Sequence, residues 1–226
     1  MSEALGELRV SKTPGDAQEA CAVFVENVIA DVVGRLGRAA IAVSGGSTPR
    51  PTYARLAVSK RIHWPSVDVY FADERCVPPT HDDSNYRMVR ELLGPSVNIV
   101  RMEAERKDRE TAARDYEELL PKAFDLVLLG MGPDGHTASL FPGKPALRSN
   151  RRVLFVQDSP KPPPERITIG PDVVKAAERV VMLVAGADKS EMLARARDEA
   201  TTVDDVPARL ARRGIWFVDE AATKGN

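Results

Sequence analysis

Short apolar runs alternate along this chain with longer stretches in which apolar positions recur every three or four residues. The short runs predict buried strands at Glu7–Val10, Ala39–Val43, Val67–Ala72, Leu126–Leu129, Val153–Val156, Val180–Val184 and Ile215–Val218, with a short one at Asn98–Arg101. The longer periodicity predicts helices. The first opens at Thr13-Pro14, carries Ala17, Cys21, Phe24, Val25, Val28, Ile29 and Val32 on one face, and stops near Gly34 or Gly37. Others come at Thr52–Ala57, Tyr86–Leu93, Asp108–Leu120, Pro171–Ala177, Ser190–Arg197 and Val206–Ala211. The charges of Asp108–Leu120 read as a solvated face. Arg166–Ile169 alternates, with Arg166 and Thr168 on one side. Ser159–Pro164 cannot be regular, because its prolines remove donors and fix φ. The tail Ala221–Asn226 is expected to fray.

Strands that alternate with helices predict an α/β fold: a single-domain, doubly wound, mostly parallel open sheet with helices on both faces, over residues 1–226. No internal repeat, low-complexity segment or shift of composition divides the chain. In such folds the carboxyl ends of the strands carry the ligand site, so the residues just past each strand matter most.

Three strand exits stand out. Leu126–Leu129 breaks into Gly130, Gly132, Pro133, Asp134 and Gly135, then His136-Thr137-Ala138-Ser139. One glycine and one histidine would make an ordinary turn with a solvent-facing ring. Three glycines, an Asp and a His in one turn point to a site. Ala39–Val43 runs into Ser44-Gly45-Gly46-Ser47-Thr48-Pro49 and then a helix, an arrangement that binds anions through backbone N–H groups and a helix terminus. It is neither a phosphate loop ending in Gly-Lys-Ser/Thr nor the dinucleotide GxGxxG pattern. The structural alternative is a helix start capped by Thr48. Val67–Ala72 exits into Asp73-Glu74-Arg75, either a solvated turn or a functional cluster at the same edge. His63 and His81 have no evident partner and read as surface or packing residues.

Composition narrows the field. The chain has 226 residues, 32 basic and 33 acidic, for a formal net charge of −1, and 5% aromatic residues. That balance gives no footprint for nucleic acid or a membrane surface. The two cysteines, Cys21 and Cys76, have neither metal-ligand nor CxxC spacing and read as reduced thiols. The start MSEALGELRV is acidic and lacks the apolar core of a signal peptide, and the apolar runs are too short to span a bilayer. The expectation is a cytoplasmic protein with no obligate protein partner evident.

With these residues in view, the chain resembles the 6-phosphogluconolactonases over essentially its whole length. The resemblance rests on SGGSTP at Ser44–Pro49, DER at Asp73–Arg75 with SNY at Ser84–Tyr86, GMGPDGHTASLFPG at Gly130–Gly143 and KPPPERIT at Lys161–Thr168. GADK at Gly186–Lys189 and WFVD at Trp216–Asp219 add to it. It implies a fold shared with glucosamine-6-phosphate deaminases and ribose-5-phosphate isomerases. It also implies hydrolysis of 6-phospho-D-glucono-1,5-lactone in the oxidative pentose phosphate route, with neither cofactor nor metal.

The resemblance makes His136 the general base that activates water. An imidazole suits that cycle because its unperturbed pKa, about 6.5, lies near working pH. Asp134 either orients the imidazole or binds a sugar hydroxyl. Arg75 either offsets charge on the carbonyl oxygen or forms a structural ion pair with Asp73. Gly45, Gly46, Ser47 and Thr48 offer donors to the 6-phosphate. Arg166 and Lys189, matching the RIT and GxxK positions, offer charge. Two alternatives are a deaminase-like enzyme and a non-catalytic sugar-phosphate sensor. The deaminase turn continues to Asn-Glu-Pro, whereas this chain has Leu140-Phe141-Pro142, with Phe141 in place of the acid. Sensors of this kind carry a DNA-binding segment, and only a short acidic leader precedes the first predicted strand here.

Overall fold

A computed structural model describes residues 5–224; Met1–Ala4 of the acidic leader and Gly225–Asn226 of the tail lie outside the described residues. In chain order the strands and helices are β1 (Leu8–Ser11), α1 (Pro14–Leu36), β2 (Ala39–Val43), α2 (Arg50–Ala57), β3 (Val67–Phe71), β4 (Asp73–Arg75), α3 (Asn85–Leu93), β5 (Asn98–Ile99) and α4 (Arg109–Leu119). They continue as β6 (Leu126–Gly130), β7 (Val153–Val156), β8 (Arg166–Ile169), α5 (Pro171–Ala176), β9 (Val180–Val184), α6 (Ser190–Arg197), β10 (Ile215–Asp219) and α7 (Glu220–Thr223).

Seven strands form one sheet in the order β1-β10-β9-β6-β2-β3-β5, and every pairing in it is parallel. Its central strands are apolar throughout because both faces are covered: β6 (LVLLG) and β9 (VVMLV) are almost wholly buried. From β2 the chain first moves outward through β3 to β5. It then returns to the other side of β2 and runs through β6 and β9 to β10. Right-handed crossovers turn that reversal into two helical layers, with α1, α2 and α3 on one face. The packing of α1 on α2, and of α2 on α3, is what this arrangement requires. The reversal creates a crevice at the carboxyl ends of β2 and β6.

Local chemistry explains the helix ends. In α1 a capping box joins Thr13 and Asp16, and Pro14 occupies the first turn. The helix passes through Gly34 and stops at Gly37, whose φ of 76° lets its N–H return to Val33 O. Its buried face, including Cys21, Val25, Ile29 and Val32, packs on the sheet. Each such aliphatic side chain contributes about 1.5–3 kcal/mol by leaving water.

Four expectations are corrected. The sheet is not alone: β4, β8 and β7 form a separate three-stranded antiparallel sheet. Asp73-Glu74-Arg75 is therefore a strand rather than a turn. The segment near Val206–Ala211 is a 3₁₀ turn at Pro207–Ala211, closed by bonds from Arg209 N to Val206 O and from Arg212 N to Arg209 O. The tighter winding lets the chain turn back at Gly214 and enter β10 at Ile215. The tail, expected to fray, is ordered through α7 because the Asp219 carboxylate accepts from Ala222 N.

Candidate active site

The crevice holds a cavity of about 350 Å³ lined by Ser44–Pro49, Asp73, Arg75, Gly130–Pro133, His136, Ala138, Lys161, Arg166 and Lys189. All the sequence-predicted site residues line it except Asp134, which reaches it through His136. They arrive from the exits of four adjacent parallel strands, β3, β2, β6 and β9, and from the antiparallel sheet laid over them.

The turn after β6 is shaped around one imidazole. Gly135 N donates to Gly132 O, and Gly132 N donates to His136 O, closing a tight loop. A Cβ on Gly132 would lie 2.1 Å from the Nδ1 and Cε1 atoms of His136 and 2.6 Å from Asp134 Oδ1, so only glycine leaves room for the pair. His136 Nδ1 and Asp134 Oδ1 are 2.5 Å apart, and Lys161 Nζ stands 3.6 Å from the same oxygen. Burial raises the pKa of Asp134, but the hydrogen bond and charge of His136, with Lys161, more than offset this. Its carboxyl is held well below the ordinary range and is ionised at working pH. An ionised acceptor requires a proton on Nδ1, which leaves Nε2 as the basic nitrogen. The far side of the ring is packed by Phe141, 4.7 Å between centroids. Thr137 Oγ1 donates to Gly130 O, and Ala138 takes φ of 48°, a left-handed backbone that non-glycine residues rarely adopt.

The exit of β2 forms a glycine-lined cradle, Ser44–Pro49. Gly45 is pressed against Asn85: a Cβ there would sit 1.7 Å from Asn85 Oδ1. Thr48 does not cap the next helix. That helix starts one residue later than such a cap requires, with Pro49 at the cap position and no side-chain bond. The hydroxyls of Ser47 and Thr48 make no hydrogen bonds among the described residues, while Ser44 Oγ is buried without a partner.

Arg166 is set in place by the irregular proline segment. Its Nε donates to Pro163 O at 3.1 Å, and Nη2 donates to Lys161 O and Pro162 O, each at 3.2 Å. Nη1 lies 3.7 Å from Asp73 Oδ2, and the guanidinium covers the Phe141 ring. Burial pulls its pKa down, Asp73 pushes it back up and Arg75 lowers it again. A guanidinium stays charged through such a shift. Lys189, at the end of a 3₁₀ turn (Ala187–Lys189), pairs with Asp188 and caps the start of α6 in sequence.

The three charges of β4 have separate fates. Asp73 accepts from Ser139 Oγ at 2.7 Å and faces Arg166, so of the two readings of Arg75 the ion pair with Asp73 is not formed. Register explains it: Arg75 pairs with Arg166 across the strands and Asp73 with Thr168, so Asp73 reaches Arg166 diagonally. Arg75 instead donates through Nη1 to Asp83 O, and its buried Nε has no partner. Glu74 points away from the cavity. It accepts from Asn85 N, Tyr86 N, Arg75 N and Ser84 Oγ, holding the first turn of α3.

Lys161 and Asn85 are contributors that the reading of the residues did not single out. Lys161 opens the KPPP stretch, and the only signal was a cation fixed at the start of a run of prolines. Asn85 sits inside the SNY match; besides its close approach to Gly45, its Nδ2 donates to Asp73 O at 2.8 Å and Asp73 Oδ1 at 3.3 Å. His63 bonds Ser66 Oγ at 3.0 Å, and His81 Nδ1 accepts from Asp83 N at 3.1 Å, both on the surface. Burial pushes the Cys21 and Cys76 thiols up to about 12, so neither is a ready nucleophile. Among the described residues no group of three or more His, Cys, Asp or Glu side chains is placed to hold a metal ion.

Fold and cleft together define a class: an α/β protein whose switch-point crevice is lined by glycines, hydroxyls, cations and a carboxylate–imidazole pair. Comparison with known proteins agrees. The chain belongs to the family described as glucosamine-6-phosphate isomerases/6-phosphogluconolactonase, whose profile matches residues 12–218. It is 37% identical over 222 residues to a 6-phosphogluconolactonase of Synechocystis, covering 90% of this chain and 91% of that one. It is similar to the solved 6-phosphogluconolactonase of Shewanella baltica, with a TM-score of 0.85 and 28% identity over 95% of this chain and 97% of that one. The enzyme of Trypanosoma brucei gives 0.81 and 28%, over 97% and 98%.

Proposed function

We propose that the chain hydrolyses 6-phospho-D-glucono-1,5-lactone to 6-phospho-D-gluconate in the oxidative pentose phosphate pathway. The observation that carries the reading is the Asp134–His136 pair beside a glycine-lined cradle. With Nδ1 protonated toward Asp134, Nε2 takes a proton from water as its oxygen attacks the lactone carbonyl carbon. The carbonyl oxygen gains negative charge, which Arg75, whose Nε has no protein partner, offsets. The tetrahedral intermediate collapses by breaking the bond to the ring oxygen. The imidazolium returns its proton to that oxygen, and the new carboxylic acid ionises. The 6-phosphate is held by the Gly45–Thr48 cradle with Arg166, Lys189 and Lys161. Asp73 and the proline segment keep Arg166 in position. The scheme uses side chains and water alone.

Phe141 favours this reaction over deamination. It stands where the resemblance gives deaminases an acid, and it packs on His136 instead. In this proposal residues 1–226 act as one domain, since the sheet takes strands from Leu8 to Asp219 and the cleft takes groups from Ser44 to Lys189. The cytoplasmic placement is part of the same reading; among the described residues no helix is long and apolar enough to cross a membrane.

The test is a coupled assay on freshly made lactone, corrected for spontaneous hydrolysis, with His136→Gln as control. A positioned general base contributes about 10²–10⁴-fold, so the variant should lose turnover on that scale while KM stays close to wild type. Wild-type turnover in the variant rejects the assignment of His136.

A further inference from the structure

A second cavity, of about 610 Å³, lies at the opposite end of the sheet from the cleft. Val180, the first residue of β9, and Gly214, just before β10, line it. Because the strands are parallel, this is their amino-terminal edge. The walls combine aliphatic side chains such as Val180 and Leu210 with four cations, Lys175, Arg209, Arg212 and Arg213, against one carboxylate, Glu178.

The guanidinium groups here are in an unusual state. Arg209 is only 8% exposed, and its hydrogen bonds among the described residues all run through Nη1, to the carbonyls of Arg195, Ala196 and Asp198 at the end of α6. Nε and Nη2 have none. Arg212 reaches Glu199 through Nη2 at 3.3 Å, but its Nε is buried without a partner. Arg197, next to but not lining the cavity, donates through Nη2 to Gly6 O. Burial lowers the pKa of Arg197 and of Arg209, and the nearby charge of Arg212 lowers both further. In the cavity wall the Nε and Nη2 donors of Arg209 without acceptors and the crowding of cations are both unfavourable, and one group relieves both: an oxyanion.

We propose that this cavity is a second ligand site, for a phosphorylated organic anion of nucleotide size. The volume falls within the range of small-molecule sites, roughly 300–1,000 Å³. The aliphatic wall suits a flat, weakly polar body, and the arginine forks suit phosphate oxygens. The site is separate from the cleft, sharing no lining residue with it.

The experiment is isothermal titration of the purified chain with ADP, with adenosine and inorganic phosphate as comparison probes. The wild-type chain should bind ADP more tightly than either comparison probe. Arg166→Ala, which disables the cleft's phosphate contact, should leave ADP affinity unchanged. A Lys175→Gln/Arg212→Gln double variant should weaken it about tenfold or more while lactone turnover is retained. Should that variant fail to fold, Lys175→Glu, at an exposed position, should still weaken ADP severalfold. The proposal is overturned by absence of ADP binding at millimolar concentration, by equal affinity for adenosine, or by loss of ADP binding in Arg166→Ala. Unchanged affinity in the double variant, or in Lys175→Glu where that replaces it, overturns it too.

Discussion

Replacing Asp134 by Asn isolates the job of the carboxylate beside the imidazole. The two side chains have nearly the same shape, so the turn after β6 survives. The charge is removed, and with it the preference for a proton on Nδ1. Asp134 is ionised in the wild-type protein, so its contact with His136 is a charge-assisted hydrogen bond whenever the ring carries a second proton. Bonds of that kind are worth about 1.5–3 kcal/mol net, and each 1.4 kcal/mol is a factor of ten in rate. The span is thus about tenfold to 150-fold. The Asp134 side chain is 34% exposed, and water competes for it, which places the expected loss in the lower part, about ten- to fiftyfold. The loss should fall on kcat, because the imidazolium exists only after the proton has moved. The assay is initial-rate hydrolysis of fresh lactone, read by oxidation of the 6-phosphogluconate formed. Unchanged kcat with a raised KM refutes the reasoning, since it makes Asp134 a contact of a sugar hydroxyl. Unchanged values of both remove Asp134 from the mechanism.

Other consequences can be checked on the same protein. Gly132→Ala places a methyl group 2.1 Å from the His136 ring and should bring kcat close to that of His136→Gln while the circular dichroism spectrum stays native; an active Gly132→Ala enzyme contradicts the packing argument. Arg166→Ala should reduce kcat/KM for the phosphorylated lactone about a hundredfold or more, yet change unphosphorylated gluconolactone little; equal effects on both substrates take Arg166 out of the phosphate site. Glu74→Ala strips acceptors from Arg75 N, Asn85 N and Tyr86 N. At about 1 kcal/mol or more for each orphaned donor, stability should fall by about 3 kcal/mol and Tm by about 6–12 °C; a Tm within experimental error of wild type shows that α3 does not depend on this carboxylate.

Much of this was legible in the residues. The apolar runs located the parallel strands because strands covered on both faces must be apolar throughout. Glycine-rich exits marked the crevice because backbone can approach a ligand closely only where side chains are absent. The second sheet was not legible. Val153–Val156 and Arg166–Ile169 read as further members of the main sheet, since an apolar tetrapeptide does not say which partner it finds. The three residues Asp73–Arg75 are too polar to look like a strand, yet they pair with Arg166–Thr168. The same blindness affected the charges. Adjacency suggested Asp73 with Arg75, but cross-strand register delivered Arg166. Glu74 read as the third charge of a solvated turn or a functional cluster, although it is buried and holds a helix start. Lys161 was hidden because a lysine beside prolines resembles any solvated loop.

The order of strands across the crevice has a mechanical meaning. The cradle, His136 and Lys189 come after β2, β6 and β9, which are consecutive neighbours in the sheet. Hydrogen-bonded strands keep a spacing of about 4.8 Å, so these three groups are posted along an edge about 10 Å long like marks on a rule. Their separations are graduated by backbone, not by side-chain length. Substitution can erase a mark but cannot slide it, and the reach of the cleft is therefore a property of the sheet itself.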